Sequence, residues 1–239
     1  MYGNESAKDV IIVYDNNPYK EGLKATWGFS CVVRCERTIL FDTGGNGTIL
    51  LENMEKLNIN PKEIDIVVLS HIHGDHVGGL SRFLEINHNV TVYLPKSFPE
   101  RFKENIDVVE VQEPLRILDG VYSTGEMGSW IREQSLIIQT GSGLIVVTGC
   151  AHPGIVKIVK RAKELLKGNV LLVVGGFHLL NHGEGKIREI ISDFKNLDVR
   201  YVAPCHCSGD LARKLFKERY GERYINAGVG RVITLNDLG

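Results

Sequence analysis

No stretch of this sequence stays apolar for the roughly 18 residues that a membrane-spanning helix needs. The longest candidate, Val170 to Leu180, is interrupted by Gly175, Gly176 and His178. Charge of one sign is also missing: 28 Lys and Arg face 29 Asp and Glu, a formal net charge of −1. That balance argues against a dedicated nucleic-acid binder, which carries a basic excess. There is no low-complexity segment, no charge block and no Pro/Gly/Ser linker. The first residues, Met-Tyr-Gly-Asn-Glu-Ser, have neither the basic start nor the apolar stretch of a secretory signal. Cysteine is scarce and odd in number, five in all, and Cys150, Cys205 and Cys207 each lie within two residues of a histidine. This pattern suits reduced thiols rather than a disulfide framework. The expectation is a cytoplasmic protein with a small-molecule partner and with neither nucleic acid nor membrane as a partner.

What is present is the composition of an ordinary globular protein, 43% apolar and 24% charged over 239 residues, which excludes a disordered chain. A chain of this length buries roughly 70–75% of its unfolded surface and needs no staples to hold a core. Short β-branched runs read as strands: Val10–Tyr14, Phe29–Val33, Thr38–Phe41, Ile64–Leu69, Val90–Leu94 and Val108–Val111 in the first half. Leu136–Gln139, Leu144–Val147, Val170–Val174, Val199–Ala203 and Arg231–Leu235 follow in the second. Apolar residues three and four apart mark helices around Ile49–Leu57, Ile155–Leu166, Ile187–Phe194 and Leu211–Phe216. Pro153 is expected just inside the second of these and Gly168 just past its end. Strands cluster from about residue 107 to 148 and alternate with helices elsewhere. That pattern predicts an α/β protein with two mixed sheets and helices on their outer faces. A single domain, 1–239, is expected, although strand–loop–histidine arrangements occur in both halves.

The most informative segment is Ser70-His71-Ile72-His73-Gly74-Asp75-His76-Val77-Gly78-Gly79, directly after the strand Ile64–Leu69. Four metal-capable side chains within six positions cannot all enter a core as satisfied groups; each buried without a partner would cost several kcal/mol, on the order of 2–7. Imidazole and carboxylate are ligand types that zinc, iron and manganese accept. Gly74, Gly78 and Gly79 are expected to let the backbone turn sharply so that these side chains converge. Two further histidines stand in matching places. His152 follows the strand Leu144–Val147 and precedes Pro153-Gly154; His206 follows Val199–Ala203 and precedes Ser208-Gly209-Asp210. Strand ends before helices are where open α/β sheets place ligands.

Asp42 in Leu40-Phe41-Asp42-Thr43-Gly44, then His71-x-His73-x-Asp75-His76, then His152, then His206: in this order the sequence resembles the metallo-β-lactamase fold superfamily over almost its whole length. The resemblance implies an αβ/βα four-layer sandwich with a dinuclear metal site in the cleft between the sheets. Carried over by position, it makes His71, His73 and His152 ligands of a first metal and Asp75, His76 and His206 ligands of a second. It makes Asp42 a buried orienting carboxylate. In many hydrolases of the superfamily an aspartate bridges both metals at the end of the strand matching Val170–Val174. Here that strand runs into Gly175-Gly176-Phe177-His178-Leu179. A neutral imidazole has one lone pair and cannot bridge two metals, so one metal or two remain open. His178 is a candidate ligand, a candidate general acid, or a histidine that orients a ligand.

The same resemblance narrows to one branch through Trp27-Gly28-Phe29-Ser30, Glu133-Gln134-Ser135-Leu136, Gly149-Cys150-Ala151-His152-Pro153-Gly154, Gly175-Gly176-Phe177-His178 and Pro204-Cys205-His206-Cys207-Ser208-Gly209. That branch resembles the dihydropterin–ribofuranosylaminobenzene-phosphate synthase-like metal-dependent hydrolases. The function it implies is hydrolysis of an anionic small molecule, a phosphoester or an acyl or thioester, by metal-activated hydroxide. Asp75 and His178 are the candidate catalytic groups, and the cofactor is a divalent metal, zinc first, with iron or manganese as alternatives. The first alternative function is a synthase of pterin cofactor biosynthesis, and the second a single-iron sulfur or oxygen oxidoreductase. As neighbours of His206 in an extended segment, Cys205 and Cys207 are expected to point away from its side chain and to pack. Cys31 and Cys35 are expected in the core, His88 and His182 on the surface, and Glu126, Trp130 and Arg132 in an ordinary loop.

Overall fold

Among the described residues, every parallel strand pair is joined by a helical crossover, and every antiparallel pair consecutive in the chain by a shorter connection, as strand geometry requires. The computed structural model describes residues 9–238, so the N-terminal Met-Tyr-Gly-Asn-Glu-Ser lies outside the described residues. The chain divides into two compact units, one reaching to Glu110 and resuming at Gly228, the other Val111–Ala227.

The first unit begins with β1 (Asp9–Asp15), β2 (Phe29–Arg34) and β3 (Thr38–Phe41), followed by α1 (Gly47–Lys56) and β4 (Ile66–Val68). Two short helices, α2 (Gly74–Val77) and α3 (Leu80–Ile86), lead to β5 (Thr91–Pro95) and β6 (Asp107–Val111). The second unit runs β7 (Leu115–Leu118), β8 (Val121–Ser123), β9 (Leu136–Thr140), β10 (Gly143–Thr148), α4 (Ile155–Leu166), β11 (Val170–Gly176), α5 (Glu184–Asn196), β12 (Tyr201–Cys205) and α6 (Asp210–Tyr220). The chain then returns to the first unit as β13 (Val232–Ile233).

Each unit holds one mixed sheet. The first has the order β13-β1-β2-β3-β4-β5-β6, antiparallel from β13 to β3 and parallel from β3 to β5. The second has the order β12-β11-β10-β9-β8-β7, parallel across β12, β11 and β10 and antiparallel from β10 to β7. The expected pair of mixed sheets is therefore present. In the first unit Leu50 and Met54 of α1 and Phe83 of α3 bury against Leu40, Val67 and Val92 of the sheet. In the second unit the apolar stripe of α4 (Ile155, Ile158, Val159, Ala162) is buried, as are Ile187, Ile190, Ile191 and Phe194 of α5. Phe177, Phe194 and Phe216 form a cluster with ring centroids 5.5–5.7 Å apart.

The structure departs from the sequence reading in a few places. The hairpin β7–β8 turns at Asp119-Gly120, a strong hairpin dipeptide, between strands too short for a clear period. The helices α2 and α3 are likewise too short to show one. Pro153 lies outside α4, which opens at Ile155 after Gly154 at φ 100°. The end of α4 is as expected, with Lys167 left-handed at φ 52° and Gly168 next. Among the described residues, no helix is long and apolar enough to cross a membrane.

Candidate metal centre

In each unit the candidate ligands leave the C-terminal ends of strands, where crossover loops must turn back. In the first unit, β4 delivers Ser70 and His71, both fully buried, and α2 presents Asp75 and His76 from its single turn. His71 Nδ1 lies 2.8 Å from Ser70 Oγ, and His76 Nδ1 lies 2.7 Å from Asp42 Oδ2. A histidine held through one ring nitrogen presents the other. His71 Nε2 faces His73 Nδ1 at 3.1 Å, and His76 Nε2 faces Asp75 Oδ2 at 3.7 Å. The His71 ring centroid is 4.7 Å from that of His73 and 4.2 Å from that of His76. Two donor pairs, His71 with His73 and His76 with Asp75, thus arise within six residues.

Asp42 organises this loop. Its carboxylate accepts hydrogen bonds from Ser70 N and Ser70 Oγ, both at 2.7 Å, besides its contact with His76. The residue is fully buried and left-handed at φ 57°, with its own backbone nitrogen donating to Val68 O at 2.8 Å. Thr43 adds two bonds to His76 O, from its backbone nitrogen at 2.7 Å and its hydroxyl at 3.0 Å. The glycines of the motif act differently from the expectation. Gly78 and Gly79 sit at ordinary helical φ, −64° and −84°, and serve close approach. A Cβ on Gly78 would come within 2.5 Å of Gly45 O, and one on Gly79 within 2.1 Å of Thr43 O. Gly74 has open space around it.

In the second unit three strand ends carry the candidates. β10 leads to Cys150 and His152, β11 to His178, and β12 to His206 and Cys207. Gly176 N donates to Gly149 O at 3.1 Å, Phe177 N to Ser208 Oγ at 3.0 Å, and Leu179 N to Cys207 O at 3.1 Å. The His152 and His178 rings lie 4.3 Å apart. Donor atoms of Cys150, His152 and His178 gather within 4.8 Å of one another, as do those of Cys150, His206 and Cys207. A hydrogen bond with Cys207 raises the His178 imidazole above its ordinary pKa, against partial burial that lowers it. Burial pushes the Cys207 thiol up, but its bonds with Cys150 and His178 and the charge of His206 carry it well below the usual thiol range.

Two roles were not legible in the sequence reading. Glu133, 1% exposed, accepts hydrogen bonds from the backbone nitrogens of Cys150 (2.9 Å), Ala151 (2.8 Å) and His152 (2.8 Å) and from Thr148 Oγ1 (3.2 Å). Its signal was a glutamate at the mouth of an apolar strand, where burial demands a donor set. Cys207 was expected to pack away from its neighbour's chemistry. Instead His206–Ser208 forms a 3-10 turn with His206 left-handed at φ 48°, and a turn does not alternate side chains as a strand does. Cys205 is fully buried, as expected.

A cavity of about 420 Å³ in the second unit opens beside His152 and His178, lined also by Lys157, Lys160, Lys186 and His182, with Asp193 as its carboxylate. His182 is thus a half-buried cavity residue, not the surface residue expected, and its Nδ1 has no hydrogen-bond partner among the described residues. A second recess, about 280 Å³, lies between Trp130, His152 and Lys157. Trp130 is 92% exposed there, and Arg132 is exposed in the same loop.

Comparison with known proteins decides the family, since residues 29–185 match the metallo-beta-lactamase superfamily. The chain belongs to the metallo-β-lactamase superfamily. Over 96% of its length, and 97% of the relative, it is 30% identical to the 7,8-dihydropterin-6-methyl-4-(beta-D-ribofuranosyl)-aminobenzene-5'-phosphate synthase of Methanocaldococcus jannaschii. A solved structure, Tm1679, described as a metal-dependent hydrolase of the beta-lactamase superfamily, is similar with a TM-score of 0.80 and 28% identity, covering 95% of this chain and 98% of that one. The metallo-beta-lactamase fold protein YhfI from Bacillus subtilis shares the fold with a TM-score of 0.72 at 16% identity, over 96% and 100% of the two chains. The fold class is therefore that of the superfamily, α/β with two mixed sheets, and the superfamily fold implies a divalent metal.

Proposed function

We propose that this protein is a metal-dependent hydrolase acting on an anionic small molecule, a phosphoester or an acyl or thioester, with zinc as its metal and iron or manganese as alternatives. The observation that carries this reading is the first unit's donor set. Ser70 pins His71 and Asp42 pins His76, so that His71 Nε2 faces His73 Nδ1 as one donor pair and His76 Nε2 faces Asp75 Oδ2 as another. Imidazole nitrogens and a carboxylate oxygen suit a borderline divalent cation, so the donor types fit the group. We assign His71, His73, Asp75 and His76 as ligands from the first unit, and His152 and His206, with His178 as a further donor, from the second. When bound, such a cation supplies Lewis acidity towards a carbonyl or phosphoryl oxygen and acidifies water towards a pKa of about 7.

The chain's own groups supply the rest. Asp42 holds His76 in one tautomer and Ser70 holds His71. The Asp75 side chain, 22% exposed, is placed to orient a water and accept its proton. His178, exposed and raised in pKa by its hydrogen bond with Cys207, is the general acid of this reading where it does not hold the metal. Lys157 and Lys160 offer charge to an anion in the cavity beside it, and Trp130 an aromatic face.

A second reading is favoured by the relative from Methanocaldococcus jannaschii, which is named as a synthase. The same donor set would then activate a pterin-bearing phosphate for condensation with an arylamine. A panel of phosphodiester, phosphomonoester, lactone and thioester substrates with zinc-loaded protein tests the choice. The hydrolase reading expects turnover of at least one class, lost in His71→Ala and His73→Ala. Inertness towards the whole panel, with condensation of an arylamine on a phosphorylated pterin, overturns it in favour of the synthase.

A further inference from the structure

The second unit's donor set contains two sulfurs and no carboxylate. Cys150 belongs to both of its donor groups, with His152 and His178 on one side and with His206 and Cys207 on the other, each group closing within 4.8 Å. Both cysteines are held in place by local architecture. Glu133 ties down three successive backbone nitrogens from Cys150 to His152 and so fixes the Cys150 loop, which kinks at Ala151 with φ 61°. Cys207 Sγ sits 3.6 Å from Cys150 O, over Gly176. A Cβ on Gly176 would come within 2.6 Å of that sulfur and 3.3 Å of the Cys150 Cα. Glycine is therefore what leaves the sulfur room to stand beside Cys150. Both cysteines are buried, 3% and 5% exposed, so bulk thiol reagents reach them poorly.

We propose that Cys150 and Cys207 are thiolate ligands of a soft-metal subsite completed by His206, with the Cys150 sulfur shared with the neighbouring group of His152 and His178. This rests on the metal-centre reading above and adds sulfur to it. The chemistry is coherent. By the family resemblance His178 stands where a bridging carboxylate is expected, and an imidazole supplies one lone pair and no charge. A thiolate supplies both a negative charge and further lone pairs, and it selects zinc, cobalt or cadmium over magnesium or manganese.

X-ray absorption on the zinc-loaded, full-length wild-type protein tests this without any variant. The proposal expects a sulfur shell at about 2.3 Å beside the nitrogen and oxygen shell at about 2.0–2.1 Å. A shell of nitrogen and oxygen alone overturns the thiolate ligands while leaving the metal centre standing. Failure to bind zinc at all overturns both. Cobalt(II)-loaded protein gives a second readout. Sulfur-to-cobalt charge transfer should be present in wild type and in Cys35→Ser. It should fall by about half in Cys150→Ser and in Cys207→Ser, and vanish in the double variant while the ligand-field bands of nitrogen ligation persist. Charge transfer unchanged in the double variant contradicts the assignment.

Discussion

Asp42 and Glu133 do the same work in different units: a fully buried carboxylate collects donors and holds the loop that carries the histidines. Hydrogen bonds to a charged group contribute on the order of 1.5–3 kcal/mol each, and a stranded buried donor costs about as much. Replacing Glu133 by Gln, which keeps the shape but sets an amide against backbone N–H groups, is expected to destabilise the protein by about 2–4 kcal/mol, read from the urea midpoint. Asp42→Asn should lower zinc affinity roughly 10–100-fold, the usual effect of losing a ligand's orienting partner, measured by competition with a chromophoric chelator. Both residues stood in motifs visible in the sequence. Asp42 was recognisable as an orienting carboxylate, whereas the Glu133 donors lie 15 to 19 positions away, a pairing no local pattern displays.

Cys31 makes a pH prediction at the same scale. Burial, and behind it the charge of Asp42, pushes its thiol well above the ordinary range. In the unfolded chain the thiol ionises near about 8.5, while in the folded chain it stays neutral. Its contribution to stability is therefore complete below that pH and is lost as pH rises towards the folded value. The urea midpoint should fall between about pH 7.5 and 9.5, and fall less in Cys31→Ala, which removes the titrating group. Equal slopes in the two proteins would count against it.

At the level of elements, strands and long helices were legible because their apolar periods are intact. Leu136–Ile138 is an unbroken apolar run, buried throughout, and Ile155–Leu166 fills one stripe. What escaped was local and tertiary. The hairpin β7–β8 and helices α2 and α3 are too short to show a period, and the 3-10 turn at His206 has no compositional mark. Its left-handed backbone belongs to a set that also includes Asp42, Ala151 and His178, four residues at or beside candidate ligands. Such conformations cost about 1–3 kcal/mol each and persist where the surroundings over-determine them. Lys167, left-handed at the end of α4 and away from the ligands, carries a similar penalty with no chemistry attached. Lys167→Gly should stabilise by about 0.5–1 kcal/mol. Phe194→Ala, which empties the aromatic cluster on α5, should cost about 3–5 kcal/mol. Both are read as shifts of the urea midpoint.

Across the whole molecule, the repeated logic is a parallel strand, a loop carrying histidine, and a crossover helix, used in both units. The family follows from the order of those loops along the chain, which a sequence displays directly. The metal's identity and number depend on which donor atoms share an ion, and sequence order does not display that. If His178 occupies the position at which the family resemblance expects a bridging aspartate, His178→Asp raises metal occupancy per chain; unchanged stoichiometry would count against that mapping. The most direct test of the central claim is elemental analysis of protein purified without added metal, normalised per chain and repeated on His71→Ala. The account predicts one to two zinc ions per wild-type chain, with a marked loss in the variant. A single iron per chain would favour the oxygen or sulfur chemistry of a mononuclear iron site over hydrolysis. Metal-free protein that takes up none on reconstitution would contradict the metal centre itself.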